Sequence, residues 1–155
     1  MSDPIIGGAI AAVLGAAGGA ITGLLLERRR QKAQKLAIVE ALLIEIAENL
    51  TLFGSPKMRE KWWLSPFRLQ AYRAYEGQLL FLPRAVLTQL IAAALVMEGE
   101  NLIIQMHQSR EGFGLPVDKE PKPIPKYLTD ELEFVKEELI KWRNKHTGFL
   151  SIFRR

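Results

Sequence analysis

Cysteine is absent from this chain of 155 residues. Its absence excludes disulfides, iron–sulfur clusters, thiolate zinc sites and a cysteine nucleophile. Histidine is scarce, with only His107 and His146. There is no HExxH pair, no glycine-rich phosphate loop and no GxSxG turn, so no recognisable catalytic constellation is present. The reading is therefore of no catalytic residue, no metal site and no cofactor. His146 is expected at a helix C-terminus, where an imidazole interacts with the dipole, and His107 on the surface. Sustained apolar–polar alternation is also missing, which leaves no candidate strand and points to an all-α fold.

Charge is missing where it matters most. Residues 5–26 are 22 residues without one charge, IIGGAIAAVLGAAGGAITGLLL, made of nine Ile, Val or Leu, six Ala, six Gly and one Thr, with Asp3 before them and Glu27 after. As a helix this stretch is roughly 33 Å long, against a hydrocarbon core of about 30 Å. A cleaved signal would need positive charge before the apolar run, and only Asp3 stands there. A buried helix in a water-soluble domain would carry six glycines at about 1 kcal/mol each relative to alanine. In lipid no solvent competes for the backbone, and small residues let helices approach. A single-pass transmembrane helix is thus expected over residues 5–26, within an anchor spanning 1–27.

The flanks give the orientation. Arg28, Arg29, Arg30, Lys32 and Lys35 form a basic juxtamembrane segment at 28–35, and no Lys or Arg precedes the span. The positive-inside bias places the N-terminus outside and the remainder in the cytoplasm, beneath the cell membrane. The same five residues account for the basic balance, because from residue 36 onward 16 Lys and Arg face 15 acids. Anionic lipid headgroups are the partner this implies, and no nucleic acid.

Within the span, Gly7, Ala11, Gly15, Gly19 and Gly23 recur every four residues, beside a second row of Gly8, Ala12, Ala16 and Ala20. This row resembles the glycine-zipper segments of several unrelated membrane proteins. The resemblance implies association of the span with itself or with a larger membrane complex.

Residues 36–155 read as a cytoplasmic bundle of about four helices. Leu36, Val39, Leu43, Ile46, Leu50 and Phe53 follow a 3, 4, 3, 4, 3 spacing, with Ile38, Leu42 and Ile44 widening the stripe, and Gly54, Ser55 and Pro56 ending the helix. Further helices are predicted over 67–80 and 84–108. In the latter Pro83 opens the helix, Leu87, Ile91, Leu95, Leu102 and Met106 share a face, and a kink is expected at Glu98–Asn101. Four prolines between 110 and 127 make a semi-rigid connection. The last helix is expected to open at Thr129, with Leu132, Val135, Leu139 and Trp142 as its seam and Gly148 as its stop.

Three features carry competing readings. Trp62 and Trp63, among Lys57, Arg59 and Lys61, either cap the bundle core or form a partner-binding patch. The tail FLSIFRR either touches the membrane or docks on the bundle. Glu45, Glu48 and Asn49, with Glu98, Glu100 and Asn101, suggest a carboxylate-rich site, but the Glu-x-x-His motifs of a di-metal bundle are missing, so solvated helix faces are expected instead. The functional expectation is a membrane-anchored, non-enzymatic interaction or accessory-subunit protein. A small oligomeric pore is the alternative, weakened because Thr22 is the one polar residue in the span, and an enzyme with an unrecognised site comes third.

Overall fold

The structure, a computed structural model, describes the backbone of residues 4–54, 66–116 and 126–147 and the side chains of 19–53, 66–116 and 126–147. Among the described residues it is all helical: α1 (Pro4–Gly54), α2 (Gln70–Tyr75), a 3-10 segment (Glu76–Phe81), α3 (Arg84–Gly112) and α4 (Lys126–Thr147). Two compact units divide the chain, Met1–Ala37 and Ile38–Arg155. Trp62, Trp63 and the FLSIFRR tail lie outside the described residues.

In the first unit the helix carries no described buried side chain. Ile21, Leu24, Leu25 and Leu26 are all more than half exposed, and a Cβ placed on Gly19 or Gly23 would meet nothing within 4 Å. The side chains of Gly7, Ala11 and Gly15 positions lie outside the described set. Arg28, Arg29, Arg30 and Lys35 are exposed and Lys32 half-buried.

The second unit holds the core. From α1 it takes Ile38, Val39, Leu42, Leu43 and Ile46, with Leu50 and Phe53 packed against them. The predicted seam is right at Val39, Leu43 and Ile46 but not at Ile44, which is exposed. Ile44 lies two residues, about 200° of helical rotation, beyond the buried Leu42 and so cannot share its arc. From α4 come Leu128, Leu132, Val135 and Leu139, all fully buried. This helix opens at Lys126, three residues before the expected Thr129, because the buried Leu128 belongs to its apolar face.

Phe81, just before α3, packs at a tilt against Trp142, near the end of α4, with ring centroids 5.2 Å apart. The two helices therefore run antiparallel. Arg143 reaches Glu40 of α1 at 3.5 Å, joining the same end of α4 to α1.

The long helix α3 departs from expectation at one point. It runs unbroken through Glu98–Asn101, since the side chains of Glu98 and Asn101 bond groups on other segments and do not compete with the helix backbone. Its buried face is Val86, Leu90, Ala93, Ala94, Met97 and Ile104. The residues expected to share a face do so, on the opposite side: Leu87 is half-buried, and Ile91, Leu95, Leu102 and Met106 are exposed. By length and composition α3 is a helix apolar enough to cross a membrane, with mean hydropathy 1.4 over its best stretch. In the fold one of its faces is buried in the bundle and the opposite face is exposed.

The end of α3 is set by Gly114, whose φ of 68° lies in the left-handed region. The Leu115 N–H donates to the Arg110 carbonyl at 2.9 Å and the Gly114 N–H to that of Glu111 at 3.0 Å, a Schellman closure. Gly114→Ala is expected to cost about 1–2 kcal/mol through left-handed strain. Gly112→Ala, at an open helical position, should be neutral or stabilising by up to about 1 kcal/mol. Melting temperatures of the two variants moving in the same direction would refute this account.

Candidate functional site: a clamped strap and two exposed apolar faces

The carboxylate-rich stretches are solvated only in part, with Glu48 and Glu98 reaching solvent in ion pairs with arginines. Glu45 and Asn49 sit on the buried side of α1, in register with Leu42 and Ile46, and both are buried. Polar groups in such positions need partners, and the segment 66–69 supplies them.

That segment replaces the start of the predicted 67–80 helix. It is extended, with Phe67 and Leu69 buried and Pro66 and Arg68 exposed. The two asparagines treat its backbone as a neighbouring strand would. The Asn49 amide donates to the Arg68 carbonyl at 2.8 Å, and the Arg68 N–H donates to Asn49 Oδ1 at 2.9 Å. From α3, Asn101 does the same to Phe67, accepting its N–H at 2.7 Å and donating to its carbonyl at 2.9 Å. Successive residues of an extended chain point their backbone groups to opposite sides. The strap is therefore held from α1 on one side and from α3 on the other.

Glu45 then caps the next helix. α2 begins at Gln70 with Leu69 in the N-cap position, which has no side-chain acceptor to offer. The Glu45 carboxylate accepts the N–H of Ala71 at 2.6 Å and of Tyr72 at 3.1 Å. Two orphan donors are satisfied, and an anion faces the positive end of the helix. The rim is closed by ion pairs Arg68–Glu48 at 2.7 Å and Arg73–Glu98 at 3.1 Å. Burial, then the nearby Glu76 and Glu98 charges, push the Tyr72 hydroxyl above its ordinary pKa.

An open groove of about 500 Å³ runs along this strap, lined by Leu52, Pro66, Arg68, Gln70 and Arg73 among others. Both guanidinium groups are already engaged by carboxylates, so the groove offers no concentrated charge. Among the described residues no group of three or more His, Cys, Asp and Glu is placed to hold a metal ion.

The histidines divide. His146 stacks on Trp142 at 3.9 Å, and its Nδ1 lies 2.7 Å from the Trp142 carbonyl. A carbonyl only accepts, so Nδ1 carries the proton and the residue serves the helix end, as its position suggested. His107 is half-buried, with Nδ1 screened from solvent, and is not the surface residue expected.

Two exposed apolar faces remain, one on residues 19–26 of α1 and one on α3. The α1 face was legible as an uncharged run. The α3 face is legible as a shared stripe, and Val86, Leu90, Ala93, Met97 and Ile104 form an equally regular stripe on the opposite side, which is the buried one. Set against known protein families, curated proteins and solved structures, the chain matches none of them significantly.

Proposed function

We propose that this chain is a single-pass, membrane-anchored interaction protein without enzymatic activity. Residues 5–26 span the bilayer, the N-terminus lies outside, and the bundle works in the cytoplasm. The observation that carries this reading is the run from Gly19 to Leu26, helical and exposed on every described side chain, followed at once by exposed Arg28, Arg29 and Arg30. In water, Ile21, Leu24, Leu25 and Leu26 would each forgo about 1.5–3 kcal/mol of burial. A lipid environment removes that cost, and anionic headgroups meet the arginines. The row Gly7, Ala11, Gly15, Gly19 and Gly23 gives the span a face on which another helix can approach, either from a second copy or from a larger membrane complex.

The test has two parts. A reporter fused after Arg155 should be active only in the cytoplasm, and activity on the far side of the membrane would overturn the orientation. Gly19→Ile, on the small-residue row, should lower the yield of crosslinked or co-purified complexes from membranes several-fold, while Ala17→Ile, off the row, leaves it unchanged. Equal yields would reduce the glycines to composition and end the assembly reading.

A further inference from the structure

We infer that residues 149–155, FLSIFRR, which follow α4, make a second contact with the membrane by binding the surface of an anionic lipid bilayer. The inference rests on the membrane reading above and adds to it a lipid-binding segment beyond the span.

The course of α4 brings these residues within reach. The ion pair between Arg143 and Glu40, at 3.5 Å, sets the last turns of α4 beside the first bundle turn of α1, and Phe81, just before α3, meets Trp142 at the same end. Farther on, the Asn49 amide of α1 lies 3.5 Å from the Met97 sulfur of α3. α1 and α3 therefore run parallel and α4 runs against both, so the chain leaves α4 at the end of the bundle where α1 enters it. Leu26 and Glu40 belong to one helix, and the 14 residues between them span at most about 21 Å. α4 continues from Arg143 to Thr147, which recovers about 6 Å of that length. Residues 148–153 reach about 20 Å when extended, enough to carry Ile152 and Phe153 to the level of the apolar run.

Charge changes sign along the same path. Residues 126–138 hold two lysines against five acids, whereas 139–155 hold Lys141, Arg143, Lys145, Arg154 and Arg155 and no acid. Lys141 and Arg143 are paired with Glu138 and Glu40, while Lys145 is exposed. The helix dipole accounts for cations in the last turn of α4. It does not account for Arg154 and Arg155, which lie seven and eight residues past the helix end. Negative headgroups attract that excess.

The apolar residues fit the same partner. At about 100° per residue, Phe149, Leu150, Ile152 and Phe153 fall within one arc of about 160°, and Ser151, Arg154 and Arg155 occupy the rest. Such a division into apolar and basic sides suits the boundary between water and lipid. The competing cover is the bundle itself. At that end Trp142 is already packed against Phe81 and stacked on His146, with ring centroids 3.9 Å apart in the stack, and Leu80, 85% exposed, is one open side chain against four.

The lack of native cysteine allows a single fluorophore to be placed at will. Leu25→Cys, Ile152→Cys and Asp130→Cys versions of the full-length chain, each labelled with an environment-sensitive dye, are reconstituted into vesicles of phosphatidylcholine and phosphatidylglycerol, with and without nitroxide-bearing lipid. Leu25 lies in the span and reports the membrane reading, and Asp130 is exposed at the far end of α4. Lipid nitroxide should quench the dye at Leu25 and at Ile152 at least five-fold more than at Asp130. Adding Phe149→Ser with Phe153→Ser should bring quenching at Ile152 down to the Asp130 level and leave the melting temperature of the bundle unchanged. Arg154→Glu with Arg155→Glu should reduce it at least three-fold. Quenching at Leu25 without quenching at Ile152 would overturn the inference alone, whereas no quenching at Leu25 would overturn the membrane reading and the inference with it. A melting temperature lowered by several degrees in the double serine variant would place these residues on the bundle and overturn the inference, and insensitivity to the two glutamates would overturn the assignment to anionic lipid.

Discussion

Truncating Leu132 to alanine is expected to lower the stability of the bundle by about 2–5 kcal/mol and its melting temperature by on the order of 10 °C or more. The residue is fully buried in the middle of the α4 seam, between Leu128 and Val135, which are fully buried themselves. Removing three carbons there forfeits burial and leaves a cavity that a packed interior only partly closes. Leu80 supplies the comparison, being the same residue type at 85% exposure in the 3-10 segment. Leu80→Ala should stay within about 0.5 kcal/mol of the parent. Thermal and urea denaturation of the full-length chain, followed by circular dichroism in one detergent, measures both. Equal shifts for the two variants would mean that α4 does not face the core as described.

Replacing Asn49 by leucine should cost about 2–5 kcal/mol although it adds apolar volume. The fully buried amide completes both the N–H and the carbonyl of Arg68, and a leucine leaves both unmade at roughly 1–3 kcal/mol each. Glu45→Gln should cost less, about 1–3 kcal/mol, because one amide oxygen still accepts while the NH2 group opposes the other donor. Hydrogen exchange distinguishes the two local effects. Asn49→Leu should release the Arg68 amide while Ala71 and Tyr72 stay protected by Glu45, and Glu45→Gln should do the reverse. Uniform loss of protection in both variants would refute separate clamps and show a single cooperative unit.

Helix existence was readable because it depends on spacing within four residues of chain. The seam at Val39, Leu43 and Ile46 and the seam of α4 both follow from that local rule. The extended strap at 66–69 does not. Phe67, Arg68 and Leu69 show no turn signal strong enough to exclude a helix, and what straightens them is Asn49 and Asn101, which lie 19 and 34 residues away along the chain from their strap partners. Glu45 likewise caps a helix that begins 25 positions later in the sequence. A polar pair inside an apolar stripe, Glu45 and Asn49 beside Leu42 and Ile46, signals that partners must exist but not which segment provides them.

The choice of face on α3 shows the same division. Ranked by side-chain size, Ile91, Leu95, Leu102 and Met106 outweigh a face that includes Ala93 and Ala94, and a sequence reading takes the larger side chains inward. The fold buries the smaller face, because α3 packs closely with α4 and small residues permit that approach.

The sequence by itself determined the helical class, the exclusion of thiol chemistry, an uncharged run backed by arginines, and an apolar stripe on α3. Only the tertiary structure decided which face of α3 is buried, where the chain leaves helix for the strap, and that Glu45, Asn49 and Asn101 bond the backbone of the strap and of α2. The physical reason is one of range: periodicity is a relation between residues on the same turn of helix, whereas burial and hydrogen-bond satisfaction are relations with whatever distant segment the fold brings alongside.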